Sequence, residues 1–144
     1  MYYVNEEQIE KRLAYLSTVG ETLRLLQGKA PEENLIHQFA LERAIHIAAE
    51  CVTDIGSYMI DGFVMRDAAS YEDIVEILFG ENVFSGQLFD VLSTLVKMRK
   101  PLVQSYYDIT THDLAILSLQ LPEAINEFKV SILTYLSLEL GNRK

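Results

Sequence analysis

Apolar residues recur every three or four positions along most of this chain, and no stretch alternates with period two for long. Such spacing puts apolar side chains on one face of a helix, where they are buried against other helices. The broadest of these faces is formed by Ile36, Phe39, Ala40, Ala44, Ile47, Ala48, Cys51, Ile55 and Met59. The pattern therefore predicts an all-α fold, a bundle of about five helices with an up-and-down core.

Capping residues and helix breakers predict where these helices begin and end. Asn5 and Gln8 form a capping-box pattern at the start of the first helix, and Gly28 ends that helix. Pro31 fits the first turn of the second helix. The predicted helices cover about residues 5–28, 31–62, 70–80, 84–98 and 110–140.

Two prolines are predicted to interrupt this pattern, because proline lacks an amide proton and restricts the residue before it. Pro122 is expected to split the last helical region at Leu121. Pro101 is expected to push Lys100 away from helical angles, so that the backbone breaks just after the fourth helix. Irregular backbone at this point would turn the polar side chains around Pro101 towards one another.

The composition is that of one globular domain, since 144 residues with 49% hydrophobic and 23% charged side chains can bury a core. No apolar run reaches the ~18 residues that a membrane helix needs, and the first residues lack the order of a signal peptide. We therefore expect a cytoplasmic protein without a membrane segment. The single cysteine, Cys51, is expected in the core rather than as a nucleophile.

The net charge of −9 argues against a protein that binds nucleic acid over a broad basic face. The charge is unevenly distributed, since residues 31–96 hold twelve acidic side chains against only Arg43 and Arg66. Lys97, Arg99 and Lys100 then fall within four residues. Such a cluster can hold a phosphate group, although cations near a helix C-terminus would also favour the helix dipole.

The segment 98–107 reads Met-Arg-Lys-Pro-Leu-Val-Gln-Ser-Tyr-Tyr. It resembles the Arg-x4-His-x-Tyr signature of the HepT-like branch of the HEPN superfamily, with Arg99 and Tyr106 in place and Gln104 at the histidine position. Further segments similar to the family are Arg43-Ala44, Glu50 through Asp54-Ile55, residues 70–80 and Asp108-Ile109. The resemblance runs from about Val4 to Leu140. It implies a single HEPN domain over residues 1–144 with the helical bundle of that superfamily.

The resemblance also implies an activity, that of a metal-independent endoribonuclease acting as the toxin of a pair with a nucleotidyltransferase antitoxin. It implies a catalytic set of Arg99, Gln104 and Tyr106, binding of RNA phosphate by Lys97, Arg99 and Lys100, and adenylylation of Tyr106 by the partner. No metal or cofactor is implied. A carboxamide does not titrate near neutral pH, so Gln104 predicts that ribonuclease activity is weakened or lost. The alternative is a catalytically inactive HEPN dimer that binds a nucleotidyltransferase or a nucleotide ligand.

The surroundings of the signature can also be predicted. Arg99 and Tyr106 are expected to line a surface cleft, and Tyr107 is expected to be the more buried of the two tyrosines. The apolar arcs on the second and last helices look wider than a small monomer needs, which favours a homodimer. HEPN proteins commonly dimerise so that two signature segments line a shared cleft, and the resemblance implies the same arrangement here.

The three histidines suggest rival sites. His37 and His46 each follow a glutamate by four residues, but ferritin-like dimetal sites use Glu-x-x-His on two helices, so no metal site is predicted. We expect instead a polar stripe that can form ion pairs or border the cleft, made of Arg43, His46, Glu50 and Asp54. His112, in the first turn of the last helical region, is a candidate substitute for the missing proton-transfer residue.

Overall fold

The computed structural model describes residues 2–30 and 34–141, and the regular structure within those ranges is entirely helical. The helices are α1 (Glu6–Leu26), α2 (Leu35–Gly62), α3 (Tyr71–Gly80), α4 (Gly86–Lys97), α5 (Arg99–Gln104) and α6 (Thr111–Leu140). A 3₁₀ turn at Tyr106–Asp108 follows α5. The predicted all-α bundle is therefore confirmed, with five helices of ten residues or more and the shorter α5.

The core lies between α1, α2, α4 and α6. Helix α1 packs against α2 and α6, α4 packs against α2, α3 and α6, and α3 bridges α2 and α4. The apolar stripes predicted from the sequence meet here, and Leu16, Ile45, Leu95 and Phe128 are completely buried. Helix α5 packs mainly against α2 and α4, so it lies at the edge of the bundle with one side open to solvent.

Side-chain caps confirm two of the predicted helix starts. The Asn5 carboxamide oxygen accepts a hydrogen bond from the Gln8 amide at 3.3 Å, just before α1. The Ser70 hydroxyl accepts one from the Asp73 amide at 3.0 Å, just before α3. Each cap gives an acceptor to an amide that has none within its own helix, which stabilises the helix start by about 1 kcal/mol.

The start of α2 differs from the expectation. Pro31, which was predicted to lie in its first turn, falls outside the described residues. The described helix begins at Leu35, because the Asn34 side chain accepts hydrogen bonds from the amides of Ile36 and His37 at 2.9 and 3.2 Å. The helix then runs to Gly62, where the sequence predicted its end.

Pro101 does not break the backbone where it was predicted to. Lys100 is helical, and Pro101 is the third residue of α5. A proline is tolerated there because amides in the first turn have no acceptor within the helix. The interruption lies instead at Met98, whose amide is shared between the carbonyls of Thr94 and Leu95 at 3.3 and 3.1 Å. The expected irregularity is thus displaced to the residue just before the signature.

Pro122 does not split the last helix, contrary to the prediction. Helix α6 continues from Thr111 to Leu140 with Pro122 inside it. A proline in a helix interior costs about 3 kcal/mol because one backbone hydrogen bond is lost. Leu121, Ala124 and Ile125 around it are all buried in the core. Burial of this stretch offsets the cost, since each large apolar side chain contributes about 1.5–3 kcal/mol.

Two helices leave apolar side chains at the surface. The exposed apolar side chains are those of Leu35, Ile36 and Phe39 on α2, and of Ile116, Leu119, Val130, Leu133 and Leu138 on α6. These residues correspond to the wide apolar arcs that the sequence indicated. Within the described ranges, no helix has both the length and the apolar character needed to cross a bilayer.

Candidate active site

The signature segment borders a surface pocket beside the start of α3. Helix α5 contributes Arg99, Lys100 and Gln104 to its lining, and α3 contributes Tyr71 and Glu72. Because α5 packs against α2 and α4, the side chains on its outer side face this pocket. The spacing of the signature therefore brings the arginine and the glutamine into one site.

The start of α3 is fixed by an ion pair with two hydrogen bonds. Both terminal nitrogens of Arg66 donate to the Asp73 carboxylate, each at 2.7 Å, and the Ala69 amide donates to it at 2.8 Å. The hydrogen bonds from Arg66 and then from Ala69 hold the pKa of Asp73 well below its usual value. This clamp sets the position of the neighbouring Tyr71 at the pocket.

Arg99 is held from two directions. Its Nε donates a hydrogen bond to Glu50 Oε1 at 2.8 Å, and its guanidinium carbon lies 3.9 Å from the centre of the Tyr71 ring. The ion pair and the cation–π contact orient a side chain that is only 24% exposed. In the described part of the chain, the two terminal nitrogens of Arg99 have no hydrogen-bond partner. The arginine is therefore positioned with donors left over for an anion.

Glu50 joins a histidine to this arrangement. The same Oε1 that accepts from Arg99 lies 3.2 Å from His46 Nε2, one helical turn earlier on α2. The side chains of His46 and Glu50 are 26% and 30% exposed, so the group is partly accessible. The polar stripe predicted on this helix thus forms ion pairs, and one of them extends to the signature arginine.

The other cations of the predicted phosphate site are exposed. Lys100 lines the pocket, whereas Lys97 lies in the last turn of α4 and does not line it. Neither lysine has an ion-pair partner among the described residues. Glu72 lines the same pocket and reduces its positive potential. The positive charge of the site is therefore local, in agreement with the uneven charge of the sequence.

Gln104 is exposed at the C-terminal end of α5. It lines the pocket together with Arg99, at the position where the family signature has a histidine. Its carboxamide can donate and accept hydrogen bonds but cannot take up a proton near neutral pH. The pocket therefore has a guanidinium at the signature arginine and no titratable group at the signature histidine position.

The two tyrosines of the signature lie on the 3₁₀ turn after α5. Tyr106 is 66% exposed and Tyr107 is 81% exposed, with their rings packed edge to face at 5.7 Å. The prediction that Tyr107 is the more buried ring is wrong, because a short turn at the bundle edge buries neither side chain. Tyr106 is accessible, as modification requires, but it does not line the pocket that contains Arg99.

The remaining residues of the polar stripe have different surroundings. Asp54 pairs with Arg12 of α1 at 3.1 Å, and Arg12 also lies over the Tyr58 ring. Arg43 has no ion-pair partner among the described residues. Cys51 is buried between these polar positions, and burial followed by the charge of Asp54 raises the pKa of its thiol to about 11. A thiol in this state is protonated and unreactive, as a core position predicts.

The rival sites suggested by the histidines find no support in the geometry. Among the described residues, no group of three His, Cys, Asp or Glu side chains is arranged to hold a metal ion. His112 lies exposed in the first turn of α6, and His37 lines a different pocket beside Leu41 and Ser118. Neither histidine contacts Arg99 or Glu50.

Sequence reasoning missed two contributors to the site. Tyr71 packs against Arg99 because α3 packs on α2 and α4, and no spacing rule connects the two residues. The sequence also did not predict that His46 is connected to Arg99 through Glu50. It did place His46 on the polar stripe, because His46 and Glu50 are one helical turn apart. Both contacts depend on how separate helices pack.

Two comparisons with known proteins indicate the same family. The family model of HepT-like ribonucleases matches residues 12–130. The chain is also 38% identical over 141 residues to YutE of Bacillus subtilis (strain 168), which is named as a candidate RNase. This match covers 98% of the chain and 96% of YutE.

Solved structures show the same fold. The structure of YutE, described as a cytosolic protein of unknown function, matches with a TM-score of 0.87 at 37% identity and covers 100% of the chain and 99% of YutE. A tri-AMPylated HEPN toxin from Shewanella oneidensis, in complex with an MNT antitoxin, matches with a TM-score of 0.79. Its identity is only 16%, over 88% of this chain and 97% of the toxin, so this likeness concerns the fold.

Proposed function

Because the chain belongs to the HepT-like ribonuclease family, we propose that it is a metal-independent endoribonuclease of low activity, the toxin component of a pair with a nucleotidyltransferase antitoxin. The observation that carries the proposal is the arrangement of Arg99. Its Nε is bound by Glu50, while its terminal nitrogens remain free of described partners beside Lys100 and Gln104. An arginine oriented in this way is suited to grip two oxygens of one phosphate.

Cleavage of RNA without a metal uses the ribose 2′-hydroxyl as the nucleophile. The enzyme must move a proton and stabilise the negative charge that develops on the phosphate oxygens. Arg99 serves the second need, and Lys97 and Lys100 add attraction for the RNA backbone. Gln104 orients the substrate by hydrogen bonding but does not move the proton, which is why we propose a low rate.

The partner and the modification are proposed from the relatives. The Shewanella oneidensis toxin is AMPylated and bound to an MNT antitoxin, and nucleotidyltransferase is the kind of partner we propose here. Tyr106 is the proposed site of adenylylation because it occupies the tyrosine position of the signature and is 66% exposed. We also propose a cytoplasmic homodimer, with the exposed apolar residues of α2 and α6 available for the interface.

A second candidate function is favoured by one observation, the exposed carboxamide of Gln104 at the histidine position. With no titratable group at that position, the protein would be a catalytically inactive HEPN dimer that binds a nucleotidyltransferase or a nucleotide ligand through Arg99. The two functions share their binding residues and differ only in whether RNA is cut. Growth of cells distinguishes them.

The test is overexpression of the wild type, Gln104→His and Gln104→His with Arg99→Ala in a bacterial host. We expect slow growth with the wild type, arrest with Gln104→His, and normal growth with the double variant. Co-expression of a cognate nucleotidyltransferase should restore growth. Equal and unimpaired growth with the wild type and Gln104→His would favour the inactive binding protein over the ribonuclease.

A further inference from the structure

We propose that His46 moves the proton in this protein, in place of the histidine that the signature lacks. This inference rests on the proposed ribonuclease function and assigns its missing group. The residue lies on α2, outside the signature, and its only described partner is the carboxylate that also holds Arg99. Glu50 Oε1 is therefore an atom that both side chains contact.

The geometry places the imidazole and the guanidinium within reach of one phosphodiester. Arg99 Nε and His46 Nε2 lie 2.8 and 3.2 Å from the same oxygen, so the two nitrogens can be no more than 6.0 Å apart. Nδ1 of His46 and the terminal nitrogens of Arg99 belong to the same two groups, so a phosphodiester and its adjoining ribose hydroxyl can be contacted by both groups, each at about 2.6–3.2 Å. His46 is 26% exposed and lines a groove with Arg43 and Leu102, which is distinct from the pocket lined by Arg99; Glu50, which contacts both side chains, connects the two.

Glu50 gives the histidine the orientation that a base needs. When Nε2–H donates to Glu50 Oε1, the lone pair of the imidazole is on Nδ1, which has no hydrogen-bond partner among the described residues. A carboxylate that accepts from one ring nitrogen also stabilises the imidazolium formed when the other nitrogen takes a proton. His46 and Glu50 therefore resemble the histidine base of many hydrolases and the carboxylate that orients it.

The reaction balances without any further reactant. Nδ1 of His46 takes the proton of the ribose 2′-hydroxyl, and the oxygen forms a bond to phosphorus as the bond from phosphorus to the 5′-oxygen breaks. The terminal nitrogens of Arg99 stabilise the charge on the non-bridging oxygens. The imidazolium then returns its proton to the 5′-oxygen. The products are a 2′,3′-cyclic phosphate and a 5′-hydroxyl end.

The other histidines do not offer this arrangement. His112 was the candidate suggested by its closeness to the signature in sequence, but it lies exposed in the first turn of α6 without a described contact to Arg99 or Glu50. His37 lines a pocket with Leu41 and Ser118 and has no described contact with Glu50. Among the described residues, His46 is thus the histidine that shares a carboxylate with the signature arginine.

The test is cleavage of a labelled single-stranded RNA oligonucleotide by the full-length protein in EDTA. The variants are His46→Gln, His112→Gln as the matched histidine control, and Arg99→Ala, with the same oligonucleotide in DNA form as the substrate control. Circular dichroism melting checks that each variant is folded. We expect slow cleavage by the wild type and by His112→Gln, with cyclic phosphate ends identified by mass spectrometry. Cleavage should fall by ~10²-fold or more in His46→Gln and in Arg99→Ala.

Two outcomes would overturn the assignment of His46. One is a folded His46→Gln variant that cuts RNA as fast as the wild type. The other is a wild type that does not cut RNA at all, because His46 would then move no proton. In the second case, cleavage by Gln104→His still decides whether the pocket is a ribonuclease site, so failure of this inference is separable from failure of the proposed function.

Discussion

Arg99 has its orientation fixed by residues that lie far from it in sequence. Glu50 of α2 binds its Nε, and Tyr71 of α3 covers the face of its guanidinium. An exposed arginine at a helix end would move among many rotamers, whereas this one is restrained before any ligand arrives. Restraint of this kind lowers the entropic cost of gripping a phosphate and increases the rate of a reaction that depends on positioning.

The effect of the carboxylate can be isolated with Glu50→Gln in the Gln104→His background. The amide removes the charge that orients Arg99, so we expect the cleavage rate to fall roughly ten- to a hundredfold. RNA affinity should not weaken, because a negative charge beside the phosphate site is lost. Measurement of cleavage rate and of binding by fluorescence anisotropy separates the two effects. Glu42→Gln is the control, since Glu42 accepts a hydrogen bond from Gln38 and does not contact Arg99. An equal loss of cleavage rate in both variants would contradict the positioning role of Glu50.

Tyr106 offers a second test at the scale of single residues. Co-expression with a nucleotidyltransferase partner and ATP should add adenylyl groups to Tyr106, because it occupies the signature position and is exposed. Each group adds a negative phosphate near the cationic residues of the signature and should reduce RNA binding. Mass spectrometry of the wild type, Tyr106→Phe and Tyr107→Phe gives the answer. Modification that persists unchanged in Tyr106→Phe would rule out this position.

At the scale of elements, α3 is the part of the fold that completes the pocket. Its start is clamped by the ion pair between Arg66 and Asp73, and the low pKa of Asp73 links this clamp to pH. A carboxylate whose pKa is lower in the folded state stabilises the fold above its unfolded pKa of about 3.9. This contribution is lost as the pH falls below that value, because the unfolded chain takes up the proton more readily.

We therefore expect the melting temperature of the wild type to drop between about pH 5 and pH 3, with Asp73 among the causes. Asp73→Asn should melt lower than the wild type at neutral pH and should lose part of the acid dependence. Asp67→Asn, at an exposed position nearby, serves as the control and should keep the dependence of the wild type. An Asp73→Asn variant with the same stability and pH dependence as the wild type would contradict the clamp.

The contact of α3 with α2 gives a second element-scale prediction. A Cβ atom at Gly56 of α2 would lie 2.3 Å from Ile74 Cγ2 of α3, so Gly56→Ala must push the two helices apart. We expect a loss of about 1–3 kcal/mol in the free energy of unfolding. Gly20→Ala is the matched control, because its nearest neighbour would be Ile125 Cδ1 at 3.8 Å. That variant should gain about 0.5–1 kcal/mol from its better helix propensity.

Urea unfolding followed by circular dichroism compares the two glycine variants. If Gly56→Ala is as stable as Gly20→Ala, the close packing of α2 and α3 is not as described. If Gly56→Ala is destabilised but still folded, the displacement of α3 should also move Tyr71 away from Arg99. A weaker hold on Arg99 then appears as slower cleavage in the Gln104→His background.

The sequence allowed much of this architecture to be predicted, because caps and apolar periodicity act locally. Asn5 and Ser70 mark helix starts that follow from short-range hydrogen bonding. The effects of the two prolines were misjudged for different reasons. Pro101 occupies a first turn that tolerates it, and Pro122 is held in a continuous helix by burial of its neighbours. Tertiary packing therefore keeps α6 continuous at Pro122.

The candidate site was predictable only in part. The sequence predicted that Arg99 and Tyr106 line one cleft. Arg99 does line a surface pocket, together with Gln104, but Tyr106 lies outside it. The roles of Tyr71 and His46 could not be read from spacing, because each depends on contacts between separate helices. The exposure of Tyr107 was also missed, since the short turn that carries it lies at the edge of the bundle.

At the scale of the whole molecule, an acidic protein carries a small cationic site. A net charge of −9 keeps non-specific affinity for nucleic acid low, while Lys97, Arg99 and Lys100 concentrate positive charge at the signature. The homodimer that we propose would carry two such sites. With the function proposed above, we expect the protein to act on a limited set of RNA phosphates rather than to coat long RNA.

We have proposed that the pocket around Arg99 is a ribonuclease site weakened by Gln104. The most direct test is the rate of RNA cleavage by the purified protein at neutral pH in EDTA, compared between the wild type and Gln104→His. We predict that restoring a titratable group raises the rate by ~10²–10⁴-fold, and that adding Arg99→Ala removes the gain. A wild type that cuts RNA as fast as Gln104→His would contradict the claim, as would a gain that survives Arg99→Ala.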